Sequence, residues 1–427
     1  MRPEERIQER EAYARGFAVH VGVDAGKEFH KLVASGPDRV RTKAIKVEVH
    51  RAGFLAALEF LTATFPAVTP AETLVAIEFG GHYGYTFAEF LRARGFAVVT
   101  MPSVVTKRLK EIEDNSPRKD DAKDAAQVCK LVGAGLFVAY AELSSLVAEM
   151  RVLTTERHHL VKEETALRNR LRAILDLAWP EFQTHFPRID THTARALLRR
   201  WPVAGDVAAA HTRSIHALMK HVSRNHFTLD QARTLIAAAK DSIAITRGVD
   251  ARRGEILRLL DRWELNIAQG AAIDARLTAL VEQHPGAKAL ATVPQVGALC
   301  AASLVAEIGA PEHFESPRQV LKLAGMNLAR RESGTSLRGR VHQTKRGRPQ
   351  LRRQLYLLAG RWCQRSGPYR PAYEALKARN GGLNTSALCA IARRMVPMLL
   401  HIMQTGEPFD RARWQRDRTD PVLTPAA

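Results

Sequence analysis

Four carboxylic acids in the first third of the chain, and one serine in the last, carry the residue types that do chemistry. Asp24 closes the apolar run VHVGVD, Glu78 closes LVAIE, and Asp121 and Asp124 stand three apart in RKDDAKDA. A spacing of three puts the last two on one helical face, where both can point into the same small volume. Four converging carboxylates repel one another unless cations sit among them, and hard oxygen ligands select magnesium or manganese. Two ions held this way stabilise the attacking and leaving oxygens of an in-line displacement at phosphorus, the chemistry a phosphodiester needs. Taken singly, the acids have plainer uses: Asp24 can cap a turn and Asp121 a helix N-terminus. The ordered set is what points to a site.

Ser333 lies in RRESGTSLRGR, residues 330–340, with Thr335 and Ser336 beside it. Loop hydroxyls are ordinarily solvated or close a local turn, so residue type alone does not separate Ser333 from those neighbours. Around it, residues 330–353 hold nine cations, Arg330, Arg331, Arg338, Arg340, Lys345, Arg346, Arg348, Arg352 and Arg353, against a single acid, Glu332. Such density in a glycine-containing loop makes a phosphate-contacting surface. Bulk charge agrees. The formal charge is +20, with 20 basic against 18 acidic residues in 1–140, 21 against 16 in 141–280, and 23 against 10 in 281–427. A balanced first part joined to a basic last part suits a polyanionic partner, because each neutralised phosphate releases counterions. Nucleic acid is the expected partner.

Strands and helices must bring these residues together. FAVHVGVDAGKEFHKLVASG reads as a strand, a tight turn at Gly26 and a second strand, and RTKAIKVEVH extends the hairpin to a third. A helix (AGFLAALEFLTATF), a strand (LVAIEFGG), a helix (YTFAEFLRARG) and a strand (FAVVTMP) follow, then a helix over DAKDAAQVCKLVGAG. Three antiparallel strands followed by β-α-β-α units predict a mixed α/β sheet of the ribonuclease-H kind. With the first strand beside the fourth, strand-end positions 24 and 78 would face each other.

From residue 143 apolar positions recur at 143, 146, 150, 153, 160, 167, 171 and 174, with Arg157 and Glu164 in the missing heptad places. This predicts a long helix whose seam wants another helix, supplied either within the chain or by a second copy as a dimerising coiled coil. Residues 180–250 are Ala-rich and helical in pattern, broken at WPEFQTHFP and RWPVAG, and a second long helix spans about 251–283. ATVPQVGALCAASLVAEIG sets a Pro-x-x-Gly turn between helices, which is either a plain helical turn or a helix-hairpin-helix that presents backbone N–H groups to phosphate. Three segments result: 1–140 with the acids, 141–284 helical, and 285–427 mostly α-helical with the serine loop.

Several classes are disfavoured. The four cysteines show no zinc-ligand spacing. MRPEERIQEREAYARG has no apolar core of a secretion signal, and the longest uncharged run, residues 289–306, is broken by Val-Pro-Gln-Val-Gly. The expectation is a cytoplasmic protein without a membrane span. GVDAGKEFH also matches the opening of sugar kinases and actin-like ATPases, but their second Asp-x-Gly turn and adenosine loop are not found.

Taken in order, GVDAGKE, AIEFGGHYG, RKDDAKDA, a long helix, VPQVGALCAASLVAEIG, FESPRQVLKLAGMN, RRESGTSLRG, TKRGRPQLRRQLY and TGEPFD resemble the IS110-type group of insertion-sequence transposases over nearly the whole chain. The resemblance implies a RuvC-like Asp-Glu-Asp-Asp domain joined through a coiled coil to a transposase domain with an essential serine. It implies Asp24, Glu78, Asp121 and Asp124 as metal-binding acids, Ser333 as nucleophile, and guidance by a structured noncoding RNA, the bridge RNA, that pairs with target and donor DNA. Gln295 departs from it, standing where the family hairpin reads glycine, which would allow close backbone approach to phosphate. The expected activity is magnesium-dependent DNA cleavage and exchange by an oligomer, through a covalent serine–DNA link. The alternatives are a hydrolytic junction-resolving nuclease, in which water attacks, and a non-catalytic nucleic-acid scaffold.

Overall fold

The computed structural model describes residues 3–113, 121–140, 142–329, 332–333, 337–338, 342–365 and 367–413, with the backbone alone for residues 3, 110–113, 121–122, 332–333 and 337–338. The chain divides into two compact units, 1–142 and 143–427.

In the first unit α1 (Pro3–Arg15) leads into β1 (Val19–Ala25), β2 (Phe29–Ser35) and β3 (Ile45–Glu48). Then come α2 (Arg51–Thr64), β4 (Thr73–Phe79), α3 (Tyr85–Arg92), β5 (Ala97–Met101), α4 (Ser103–Glu113), α5 (Asp121–Gly133) and β6 (Val138–Ala139). The sheet order is β3-β2-β1-β4-β5-β6. Strands β1 to β3 pair antiparallel, while β1–β4 and β4–β5 pair parallel through helical crossovers. This is the ribonuclease-H-like arrangement that the sequence order predicts. Period-2 alternation divides the residues between the two faces. Val19, Val21, Val23 and Ala25 join Val75, Ile77, Phe54, Phe87 and Leu91 in a core on one face. On the other, Leu74, Ala76, Val99 and Met101 pack with Val128, Leu131 and Val132 of α5.

The second unit is built on two long helices. In α6 (Ser145–Ala178), the hydroxyl of Ser144 accepts the Val147 N–H at 3.3 Å and so caps the first turn. Five short helices, α7 (Phe182–His185), α8 (His192–Arg200), α9 (Ala204–Ala208), α10 (Thr212–Val222) and α11 (Leu229–Lys240), lead to α12 (Val249–Gln283). The sequence left one choice open for the α6 seam, and within the chain α6 packs along α12. Ion pairs Glu149–Arg276, Arg157–Asp274 and Arg170–Glu255 show the two running antiparallel. One end of the pair joins a core with Trp179, Phe182, Phe186 and Trp263, and the other end a core with Leu277, Leu304, Leu355 and Met395. Two polar contacts interrupt the apolar seam. Arg157 makes a two-pronged contact to Asp274 at 2.9 and 3.2 Å, and Trp263 donates its indole N–H to Glu164 at 3.4 Å. The two heptad positions that lacked apolar residues are thus matched by polar partners on α12.

The chain continues through α13 (Pro285–Ala291), α14 (Ala298–Ile308), α15 (Pro317–Leu323), the short strands β7 (Leu328–Ala329), β8 (Glu332–Ser333), β9 (Leu337–Arg338) and β10 (His342–Gln343), then α16 (Pro349–Trp362), α17 (Arg370–Arg379) and α18 (Asn384–Thr405). Among the described residues α18 is long and apolar enough to cross a membrane, and half of it is buried inside the protein.

One buried group in the first unit makes stability depend on pH. His30, fully buried, lies with ring centroids 6.0 Å from Phe54 and 5.5 Å from Phe87. Burial holds its pKa below the ordinary 6.5. As pH falls below 6.5 the unfolded chain takes up a proton that the folded one refuses, so stability is retained above that value and lost below it. The loss is expected at up to about 1.4 kcal/mol per pH unit. Urea unfolding of the protein between neutral and mildly acidic pH checks this, and His30→Phe should flatten the part of the slope that wild type shows below pH 6.5.

Candidate active site

Register places the acids. Asp24 pairs with Lys31 of β2 on one side and Glu78 of β4 on the other. Directly opposed positions share a face, so Lys31, Asp24 and Glu78 form a row across the sheet. Helix α5 crosses this same face, and it does so very closely. A Cβ at Gly22 would sit 2.1 Å from the Cys129 nitrogen and 2.4 Å from the Ala125 carbonyl oxygen. Only a glycine in mid-strand admits such an approach. It brings Asp124, one turn before Cys129, over the end of β1.

Asp24, Glu78 and Asp124 consequently line one pocket of about 460 Å³, with Gly26, Lys27 and Lys31 in its wall. Asp124 is 6 % exposed, while Asp24 and Glu78 are half-buried. The backbone of Asp121 opens α5, and its side chain lies outside the described residues. Among the described residues, no group of three His, Cys, Asp or Glu side chains is arranged to hold an ion. The donor set is nonetheless all hard oxygen and shares one cavity, which fits a small divalent cation. Beneath the site the Cys129 thiol donates to the His20 carbonyl oxygen at 3.4 Å, and burial raises its pKa to about 12, so it is a structural group.

Sequence reasoning missed Gly22, Lys27 and Lys31. A glycine inside a valine-rich strand was the available signal for the first. Lys31 faces Asp24 through a register that no local pattern announces, and Lys27 reaches the pocket wall from the turn after β1.

The basic loop is a β-hairpin. β7 pairs with β10 and β8 with β9, both antiparallel, and Ser333 pairs with Leu337. The side chains of Ser333 and Arg338, and residues Thr335, Ser336, Arg330, Arg331 and Arg340, lie outside the described residues. The remaining cations divide by role. Arg348 donates to the Glu307 carbonyl oxygen at 2.5 Å, and Arg151 donates to that of Ala306 at 2.8 Å, so both satisfy the C-terminal carbonyls of α14. Burial pushes the Glu307 carboxyl up, partly countered by the same two arginines. Arg352 donates to the Ala324 carbonyl oxygen at 2.8 Å, holding the hairpin base to the end of α15. Lys345, Arg346 and Arg353 are exposed.

At the turn between α13 and α14, Gln295 has φ 66°, the left-handed conformation that glycine adopts freely. The backbone keeps a glycine-type turn although the residue is not glycine.

Comparison with known proteins covers both regions. A family model described as a transposase, of the DEDD IS110 type, matches residues 21–180, and one described as Transposase IS116/IS110/IS902 family matches residues 287–374. The first span contains all four acids and the second contains Ser333. The chain is 25 % identical to an insertion element IS110 uncharacterized 43.6 kDa protein of Streptomyces coelicolor, over 92 % of this chain and 95 % of that one. It is 26 % identical to an insertion element IS116 uncharacterized 44.8 kDa protein of Streptomyces clavuligerus, over 92 % and 96 %.

Two outcomes follow from the geometry. Gly22→Ala forces α5 off the sheet against backbone atoms, and should cost about 3 kcal/mol in denaturant unfolding while reducing metal-dependent DNA cleavage at least as much as losing Asp124 does. For the cations, Lys345→Ala, Arg346→Ala and Arg353→Ala should each lower the salt slope of DNA affinity by about 0.9 with little change in melting temperature. Arg348→Ala and Arg352→Ala should instead lower stability by about 1–3 kcal/mol through uncapped carbonyls. Salt-dependent binding and thermal melts of the same five variants separate the groups.

Proposed function

The chain belongs to the IS110 family of transposases and is a DNA transposase of a mobile element; from that premise we propose that it cleaves and exchanges strands through a covalent serine–DNA intermediate, guided by RNA. The observation that carries the reading is the shared pocket of Asp24, Glu78 and Asp124, set by the β1–β4 register and the Gly22 approach. With Asp121 at the start of the same helix, these acids would hold a divalent ion, magnesium first and manganese second. A bound ion supplies positive charge to the non-bridging oxygens of the scissile phosphate.

The chain's own residues do the rest. Ser333 attacks phosphorus through its hydroxyl oxygen; the phosphate–sugar oxygen bond breaks, and the serine proton ends on the departing sugar oxygen. The phosphodiester energy is thereby kept for rejoining, and no external nucleotide is needed. Arginines 330, 331, 338 and 340 around Ser333 offset the charge that builds on the phosphoryl group. Lys27 and Lys31, in the wall of the acidic pocket, would contact the DNA backbone there. The protein acts as a homo-oligomer, a dimer or a tetramer, so that paired strands are cut together. Partners are double-stranded DNA, as element ends and target, and a structured noncoding RNA of the bridge type. Sequence choice falls to base pairing while the basic surface holds backbone. The setting is the cytoplasm.

Trapping on a suicide DNA substrate tests this. The expected result is a protein–DNA adduct mapped to Ser333, absent in Ser333→Ala, and reduced at least about a hundredfold in Asp24→Asn and on chelation of divalent ions. Nicked DNA without attached protein, made equally by Ser333→Ala, would mean hydrolysis by water, and unchanged cleavage in Asp24→Asn would remove the acidic site from the reaction.

A further inference from the structure

The turn between α13 and α14 walls a cavity of about 240 Å³ that neither the acids nor the serine uses. Pro294, Trp362 and Phe409 give it apolar surface, and Gln295, Arg361 and Arg411 give it an amide and two guanidinium groups. The aromatic side is tied to the turn. The Trp362 indole N–H donates to the Pro294 carbonyl oxygen at 2.6 Å, and the Phe409 backbone N–H donates to the Thr292 hydroxyl at 2.8 Å. Trp362 and Phe409 meet edge to face with centroids 6.3 Å apart. The cavity is therefore held in shape by the fold.

Gln295 is the telling residue. It occupies a left-handed conformation at φ 66°, where glycine would be relaxed and any side chain carries a cost. Cost of this kind persists where the side chain is needed. Here the side chain puts an amide, both donor and acceptor, on the rim of an apolar cavity.

We infer that this cavity takes a single nucleobase, unstacked from a single-stranded segment of DNA or RNA. The Gln295 amide reads its hydrogen-bonding edge, and Arg361 and Arg411 meet the flanking phosphates. The chemistry matches in each part. A splayed base is held between apolar or aromatic surfaces and read along one polar edge, and cations track its backbone. The volume is below the roughly 300–1,000 Å³ that drug-sized ligands occupy, which suits one planar heterocycle. A phosphate alone would leave the Trp362 and Phe409 wall without purpose. The inference rests on the reading that this chain acts on nucleic acid, and it adds a base-specific contact remote from the strand-cleaving chemistry.

The test is photo-crosslinking of the full chain to short single strands carrying 5-iodouracil, one DNA and one RNA, with the joined peptide mapped by mass spectrometry. The expected result is a crosslink in the peptide carrying Trp362 or that carrying Phe409, in at least one arm; the arm that gives it names the source of the base. Gln295→Gly should cut its yield about tenfold while the melting temperature stays level or rises, and Arg411→Ala should cut it as well without altering the melt. Binding with crosslinks mapped only elsewhere, or an unchanged yield in Gln295→Gly, overturns the cavity as a base site and leaves the transposase reading standing. Failure of both strands to bind overturns the base site, while the suicide-substrate test decides the cleavage reading separately.

Discussion

Helix α5 lies on strand β1 so closely that one methyl group at position 22 would stand 2.1 Å from a backbone nitrogen. Everything proposed for the first unit depends on that approach. The β1–β4 register sets Asp24 beside Glu78, but two carboxylates at a sheet edge are a common arrangement. What turns the edge into a pocket is a third, buried carboxylate delivered from above by a helix that cannot retreat without parting its Ala125 and Cys129 from Gly22 and Val33. Bringing like charges together is unfavourable unless something positive is present. In this pocket the charge comes from Lys27 and Lys31 and, on the proposed reading, from a divalent ion.

The second unit solves a different problem. Its two long helices serve two cores, and along their seam buried residues such as Leu160 and Leu167 are interrupted by Arg157 and Glu164. Polar partners on α12 meet them there. Arg157 lies over Gly270, where a Cβ would stand 3.2 Å from the guanidinium carbon, and reaches Asp274 on the next turn of α12. Such pairs add little net energy but penalise a slipped register, since a shift would leave a half-buried arginine beside apolar side chains. The hairpin bearing Ser333 is fastened in the same economical way. Arg348 and Arg352 use their charge on helix-end carbonyls at its base, and the neighbouring Lys345 and Arg346 remain exposed.

Much of this was readable from the residues. Valines at 19, 21 and 23 announced a strand with one buried face, and the heptads of α6 announced a helix that needed a partner. The acids stood out because strand ends and a helix start are where a ribonuclease-H-like sheet gathers side chains. Three things were not readable, each because the partner is distant in sequence. Lys31 faces Asp24 only through the hairpin register. Nothing near Arg348 says that its acceptor is the carbonyl of Glu307. Whether α6 would pack on α12 or on another copy depended on side chains a hundred positions away, such as Asp274 for Arg157. The close contact at Gly22 belongs with these, although a glycine between valines was a visible hint.

The central claim is that carboxylates from β1, β4 and α5 act as one cation-binding unit. Manganese binding to the full chain, followed by electron paramagnetic resonance, measures it without reference to catalysis. The account predicts a bound ion in the native protein, displaced by excess magnesium, and lost alike in Asp24→Asn, Asp124→Asn and Glu78→Gln variants that keep the native melt. Undiminished manganese binding when Asp124 is neutralised would contradict it, because the helix would then contribute nothing to the site.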